Sequence, residues 1–298
     1  MRRAIVRVAP QRRRLSVRVA RVDKHIAVVT LDRPEKLNAL DMAAFRGVRD
    51  AALELRDDAS VRCVVLRGAG RAFCAGLDVK NVMHPLRAKA NCAELLERAD
   101  GEAANLAQAV SYLWRGVPCP VVAAVHGACF GGGLQIALGA DVRVAAEDAK
   151  LSVMEAKWGL VPDMGATAAL RELTRRDVAL ELTTSGRVVG AREALELGLV
   201  TRVVEGSAFD AALEFARRVA QGSPDAAAAA KQLWHAAYDG AGEPAERELL
   251  RLETVLQERL LGGWNQVACS MRGLGAPPAL TPGFAAVSYT HLTLPTKA

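Results

Sequence analysis

Apolar residues in this chain recur in short β-branched runs separated by stretches with helical spacing. Ile26–Leu31 is the first such run and ends at Asp32-Arg33-Pro34. Asp41 then caps a helical pattern through Leu55, with Ala44, Val48, Ala51, Ala52 and Leu55 on one face. Residues 61–66 form a second buried-strand pattern, followed by a loop over 67–76. The spacing predicts a long helix over 93–116, a break at Pro118 and Pro120, and a third strand at Val121–Val125. Residues 134–140 are helical in pattern and 141–145 strand-like. This alternation predicts an α/β fold with a mainly parallel sheet and helices around it. After about residue 205 the strand signals stop. Residues 209–221, Pro224–Tyr238 and 244–261 read as successive helices, so the C-terminal part is expected to be helical.

Composition bounds the rest. A chain of 298 residues that is 51% hydrophobic can bury a large core in one domain with appendages. No run approaches the ~18 consecutive apolar residues of a membrane-spanning helix, so no membrane partner is expected. Cys63, Cys74, Cys92, Cys119, Cys129 and Cys269 are scattered, with no paired CxxC. That spacing argues against a metal site and fits reduced thiols in the cytoplasm. The net charge of +6 is concentrated at one end: residues 1–21 hold eight arginines and no acid, leaving −2 for the remainder. Nucleic acid is therefore not an expected partner of the body of the protein. The arginine-rich start reads as a disordered or mis-started extension, a transit peptide or a nucleic-acid-contacting arm. Ser288 to Ala298 lacks the Ala/Arg/Leu bias of the preceding chain and reads as a non-native scar. The expected divisions are an extension at 1–21, a core at 22–205, a helical region at 206–275 and a tail at 276–298.

The strongest local signal is residues 126–135, His-Gly-Ala-Cys-Phe-Gly-Gly-Gly-Leu-Gln. A strand-like run enters this segment and a helix-like run leaves it. Three consecutive glycines remove every Cβ at the junction and permit close approach to the backbone. The free N–H groups and positive dipole end of the following helix suit an oxygen bearing negative charge. On these residues alone, a tight turn or close packing of elements is an equal reading.

Four stretches together resemble the crotonase (enoyl-CoA hydratase/isomerase) superfamily. They are Val29-Thr30-Leu31-Asp32-Arg33-Pro34 with Leu37-Asn38-Ala39-Leu40; Ala72-Phe73-Cys74-Ala75-Gly76-Leu77-Asp78; residues 126–135; and residues 155–165. Ser185-Gly186, residues 191–199 and the C-terminal helices extend the likeness over roughly 22–275. The resemblance implies a crotonase-like ββα spiral core with a helical C-terminal region, assembled as a homotrimer or hexamer. It implies stabilisation of an enolate-like oxyanion on an acyl-CoA thioester, with no metal or redox cofactor, CoA entering as part of the substrate. It assigns the oxyanion donors to the Leu77 and Gly132 N–H groups. It places Ala75, Gly76, Asp78 and Gly131 along the substrate groove, with the Ala75 backbone toward the adenine. Lys36 is a candidate to meet a CoA phosphate, although an exposed lysine is more often just solvated.

Three positions bear on the reaction. Hydratases of the family typically carry one glutamate just after the glycine triplet and a second about twenty residues on. Here the first is Gln135, which can orient substrate or water but cannot act as a general base. The second is Glu155, and a further acid, Asp163, stands where typical hydratases have glycine and dienoyl-CoA isomerases of the family have aspartate. The resemblance thus implies a double-bond isomerase with Glu155 as main acid/base and Asp163 as second. The alternatives are a 2-enoyl-CoA hydratase using the same two acids, or a non-catalytic CoA- or RNA-binding homologue. On the residues alone, Glu155 also fits an exposed helix edge, and Asp163 a turn former or N-cap. His126 reads as structural, and Cys74 and Cys129 as packing residues.

Overall fold

Apolar side chains alternate between the two faces of each central strand, and both faces are covered. The computed structural model describes residues 16–238, 263–273 and 276–286. The strands are β1 (Val17–Asp23), β2 (Ile26–Leu31), β3 (Cys63–Gly68), β4 (Val121–Val125), β5 (Ala128–Phe130), β6 (Val142–Ala146), β7 (Lys150–Ser152), β8 (Val189–Gly190) and β9 (Arg202–Val204). Six of them make one sheet in the order β1-β2-β3-β4-β6-β9. It is antiparallel at β1–β2 and parallel elsewhere. The other three form a small sheet in the order β5-β7-β8.

On one face of the large sheet, Ala27, Val29, Val64, Leu66, Val121 and Ala123 share one hydrophobic core with the buried stripe of α1 (Met42–Arg56). The helices α4 (Leu106–Tyr112) and α5 (Gly132–Leu138) close the same core. On the other face, Ile26, Val28, Cys63, Val65, Val122 and Ala124 meet Ala208, Ala212 and Ala216 of α9 (Ala208–Gln221). Small alanines on the α9 stripe let the helix approach the sheet closely. Around this frame lie α2 (Val79–Val82), α3 (Ala88–Leu96), α6 (Ala166–Leu173), α7 (Arg176–Ser185), α8 (Ala191–Glu196), α10 (Pro224–Tyr238) and α11 (Trp264–Gly273). None of the described helices is long and apolar enough to cross a membrane.

Two expectations need correction. The stretch expected to be an extension through residue 21 contains a strand: β1 pairs along β2, with Ser16 and Val17 buried. Its arginines are strand residues facing carboxylates, Arg18 toward Asp32 at 2.7 Å and Arg21 toward Asp58. The β-branched valines at 17, 19 and 22 favour a strand, a signal that the charge run obscured. The single helix expected over 93–116 is two helices, α3 and α4, followed by a 3-10 turn at Leu113–Gly116. Gly101 takes φ +82°, and Asn105 restarts the chain with a capping box to Gln108. Residues 1–15, the helix expected over 244–261 and the segment 288–298 lie outside the described residues.

The helical region is tied to the sheet by a partly buried charge cluster. The Asp141 carboxylate, just before β6, accepts from the Val121 N–H at 2.7 Å, Lys231 Nζ at 2.8 Å and His235 Nε2 at 3.1 Å. Lys231 Nζ also donates to the Trp114 and Cys119 carbonyls. Burial pushes the Asp141 carboxyl up, but the Lys231 charge and these hydrogen bonds outweigh it and hold the pKa below the usual aspartate value. Lys231→Met is expected to destabilise the protein in urea unfolding by no more than the ~3–5 kcal/mol of a broken buried ion pair, because it takes the cation from a largely buried carboxylate that keeps two other donors. Stability from a depressed carboxyl pKa is present above the unfolded value and lost as pH falls through the folded one. The gap between variant and parent should therefore close in acid, once Asp141 is protonated.

Candidate active site

The glycine triplet sits where the two sheets meet. β5 runs parallel to β7, and the Gly131 N–H continues that pairing to the Ser152 carbonyl at 2.9 Å. Three residues beyond Ser152, the 3-10 turn Met154–Trp158 carries Glu155 back over the glycines. A Cβ on Gly131 would lie 3.2 Å from Glu155 Oε1, and φ there is +50°, so only glycine suits this position. The next residue, Gly132, opens α5, and its N–H consequently has no intrahelical acceptor. At Gly133 a Cβ would come within 2.4 Å of the Cys74 carbonyl oxygen, which shows how closely α5 is pressed onto the 74–76 segment.

That segment carries Leu77. Leu40 N–H donates to the Gly76 carbonyl at 2.7 Å and its carbonyl accepts from Asp78 N–H at 2.9 Å, forming a one-residue parallel bridge between Leu40 and Leu77. In such a bridge the Leu77 N–H points away from Leu40. Gly132 N lies 3.7 Å from where a Gly76 Cβ would be, so the segments bearing Leu77 and Gly132 abut. Asn38 anchors the approach to Leu77. It is buried in a left-handed conformation with φ +57°, and its Nδ2 lies within hydrogen-bond reach of the Ala69, Ala72 and Phe73 carbonyls. Asn is the non-glycine residue that most readily adopts this conformation.

Gln135 and Glu155 are joined directly. Gln135 is fully buried; its Nε2 donates to Glu155 Oε1 at 2.6 Å, and its Oε1 accepts from the Met164 N–H at 2.8 Å. Burial pushes the Glu155 carboxyl above the usual glutamate range; the Gln135 hydrogen bond opposes this and the Asp163 charge adds to it. Glu155 Oε2 is buried and has no partner among the described residues. Asp163 borders a cavity of about 620 Å³ that Gln108, Tyr112, Thr167 and Arg171 also line. Partial burial raises its carboxyl as well, although the residue as a whole remains exposed. A second cavity, of about 540 Å³, surrounds Asp141 and Lys231 and includes neither Glu155 nor Asp163.

The structure thus brings Gly131, Gly132, Gln135 and Glu155 together beside Gly76 and Leu77; Asp163 lines a neighbouring cavity that includes none of them, and its charge reaches the Glu155 carboxyl. Two assignments change. Gln135, expected to orient substrate or water, is walled in by protein and holds Glu155 and Met164 instead. Asp78, expected to line the groove, is occupied by Arg33 Nη2 at 2.9 Å and caps α2. The partly buried Arg33–Asp78 contact ties the Leu77 loop to the segment before Asn38. The Ala75 N–H donates to the Leu37 carbonyl at 2.9 Å, and Lys36 is exposed at the end of the turn Pro34–Lys36. His126 hydrogen-bonds the Gly70 carbonyl at 3.0 Å, a loop tie. Cys74 and Cys129 are wholly buried, and burial pushes both thiols up, Cys74 to about 12. Such thiols are packing groups, not nucleophiles. Asn38 and Met164 both lie in stretches that carry the resemblance, but their roles were missed because the groups that fix them are distant along the chain.

The family model described as enoyl-CoA hydratase/isomerase matches residues 21–259. The chain is 35% identical over 231 residues to (E)-benzylidenesuccinyl-CoA hydratase of Thauera aromatica, covering 77% of this chain and 85% of that one. It is 37% identical over 213 residues to the carnitinyl-CoA dehydratase of Salmonella agona, covering 71% and 77%. The crystal structure of an enoyl-CoA hydratase from Bacillus anthracis superposes with a TM-score of 0.78 at 26% identity, over 90% of this chain and 98% of that one. With the crotonase fold, the glycine triplet and a buried carboxyl above it all in place, this chain belongs to the enoyl-CoA hydratase/isomerase family of the crotonase superfamily.

Proposed function

We propose that this protein binds an acyl-CoA thioester and moves a double bond along the acyl chain by carboxyl-mediated proton transfer. The observation that carries this reading is the Glu155 carboxyl, whose Oε1 lies against Gly131, the residue before Gly132, and whose pKa burial raises. A carbon next to a thioester carbonyl is a weak acid, and its deprotonation places charge on the thioester oxygen. The Leu77 and Gly132 N–H groups hold that oxygen without reorganising as charge develops. Glu155 removes a proton at one end of the conjugated system and Asp163 returns one at the other. The Asp163 charge adds to the burial that raises the Glu155 carboxyl, which helps the two acids titrate apart. CoA enters as part of the substrate.

Hydration is the second reading, because two relatives are named as a hydratase and a dehydratase. Gln135 weighs against it, since its amide is turned into the protein and holds no water in front of Glu155. The two reactions separate when a 2-enoyl-CoA and a 3,5-dienoyl-CoA are assayed side by side. Isomerisation of the dienoyl ester is expected, falling about 10²-fold in Asp163→Asn, the lower end of the range for general acid–base groups. Rapid hydration of the 2-enoyl ester with no turnover of the dienoyl ester would overturn the isomerase reading.

A further inference from the structure

We propose that Gln135 is a positioning residue that decides which oxygen of Glu155 handles the proton. Oε1 is kept as a permanent acceptor, and Oε2 is left as the proton-transfer oxygen. The inference rests on the acid/base reading of Glu155 given above.

Hydrogen-bond chemistry leaves only one arrangement. The Met164 backbone N–H, 2.8 Å from the Gln135 amide, can only donate. The amide must therefore present its oxygen to Met164, which turns its nitrogen toward Glu155. That nitrogen also can only donate, and it lies 2.6 Å from Glu155 Oε1. A proton on Oε1 would set two donors against each other, so Oε1 stays an acceptor whichever way Glu155 is charged. When Glu155 is protonated, the proton resides on Oε2, the buried oxygen without a partner among the described residues.

The amide also does what a carboxyl at this position would not. A glutamate at 135 would take the Met164 N–H with one oxygen, but it would reach Glu155 only by carrying a proton on the other. Two carboxyls at hydrogen-bond distance share one proton and titrate as a pair. Gln135 orients Glu155 without competing for its proton. The remainder of α5, Gly-Gly-Leu-Gln-Ile-Ala-Leu, carries no ionisable group. On the elements around Glu155 the charged groups are Lys157 on its own turn, Arg176, Asp177 and Glu181 on α7, Arg187 just beyond α7, and Asp163 on the following loop. Glu181 and Arg187 pair with each other at 2.7 Å, and of these groups Asp163 is the one whose charge bears on the Glu155 carboxyl.

The test is the pH dependence of kcat/KM for the parent, Gln135→Met and Gln135→Glu, with Glu155→Gln as control and thermal melts on each. Gln135→Met removes a donor that favours ionised Glu155. The limb of the profile set by Glu155 should move to higher pH, and kcat should fall about tenfold or more with KM little changed. Gln135→Glu, which keeps the side-chain shape should the methionine variant fail to fold, should move the same limb upward as the two carboxyls couple. A purely structural Gln135 would lower the melting temperature and leave the limb in place, and that result in either folded variant overturns the proposal. Turnover surviving in Glu155→Gln would instead overturn the acid/base reading on which the proposal rests.

Discussion

Glu155→Gln is expected to lower kcat by about 10³-fold, within the range that a positioned general acid or base contributes. The substitution is almost isosteric, and its amide oxygen can still accept from Gln135 at the place where Oε1 does now. What it lacks is the ability to take up and return a proton through the position of Oε2. Because the parent carboxyl is desolvated and its ionised form is disfavoured, replacing it with a neutral amide should not destabilise the fold. The melting temperature is therefore expected to stay level or rise while activity collapses, as it does where a site holds function at the expense of stability. KM should move little, since the interaction removed is one made with the migrating proton and not with CoA. Steady-state kinetics on the dienoyl ester with a parallel thermal melt checks both halves. Turnover within a few-fold of the parent would show that another group moves the proton.

The parts of the molecule legible in sequence are those set by local pattern. β2, β4, α9, α10 and the α1 helix with its Asp41 cap lie where the periodicity places them, because each has a continuous apolar stripe or a recognisable cap. β5, β7 and β8 escaped notice because runs of two or three residues carry no periodicity; pairing with one another makes them strands. The site divides the same way. The glycine triplet and Glu155 were legible because motif and spacing carry them. The arrangement of Gln135 was not, since it depends on the Met164 N–H, 29 residues along the chain. Asp78 misled for a similar reason: its partner Arg33 is 45 residues away, and a carboxylate near a glycine loop reads equally as a ligand-facing group.

Gly133→Val is expected to be nearly as damaging to activity as loss of Glu155, although position 133 touches no reacting atom. A Cβ there would stand 2.4 Å from the Cys74 carbonyl oxygen and 2.7 Å from Cys74 Cβ. The oxygen belongs to the backbone and cannot swing aside, so α5 must move off the 74–76 segment. Under the proposed function the two oxyanion donors lie on opposite sides of that contact, Gly132 on α5 and Leu77 just beyond Gly76. Prising the contact apart widens the hole directly. Losing one such donor costs about 10²–10³ in kcat. Gln135 rides on the same helix and would carry its hold on Glu155 away, so the loss should reach at least the upper end of that range. Overpacking should also cost about 1–3 kcal/mol of stability. Gly132→Ala provides the contrast: its Cβ would meet Met164 Sδ at 2.6 Å and Leu40 Cδ1 at 3.1 Å, both ends of side chains that can shift. Its kcat should fall much less. Kinetics on the two variants, with melts to correct for unfolding, reads the difference. A Gly132 variant as impaired as the Gly133 variant would mean that side-chain crowding at the pocket, not separation of the two backbone segments, limits the reaction.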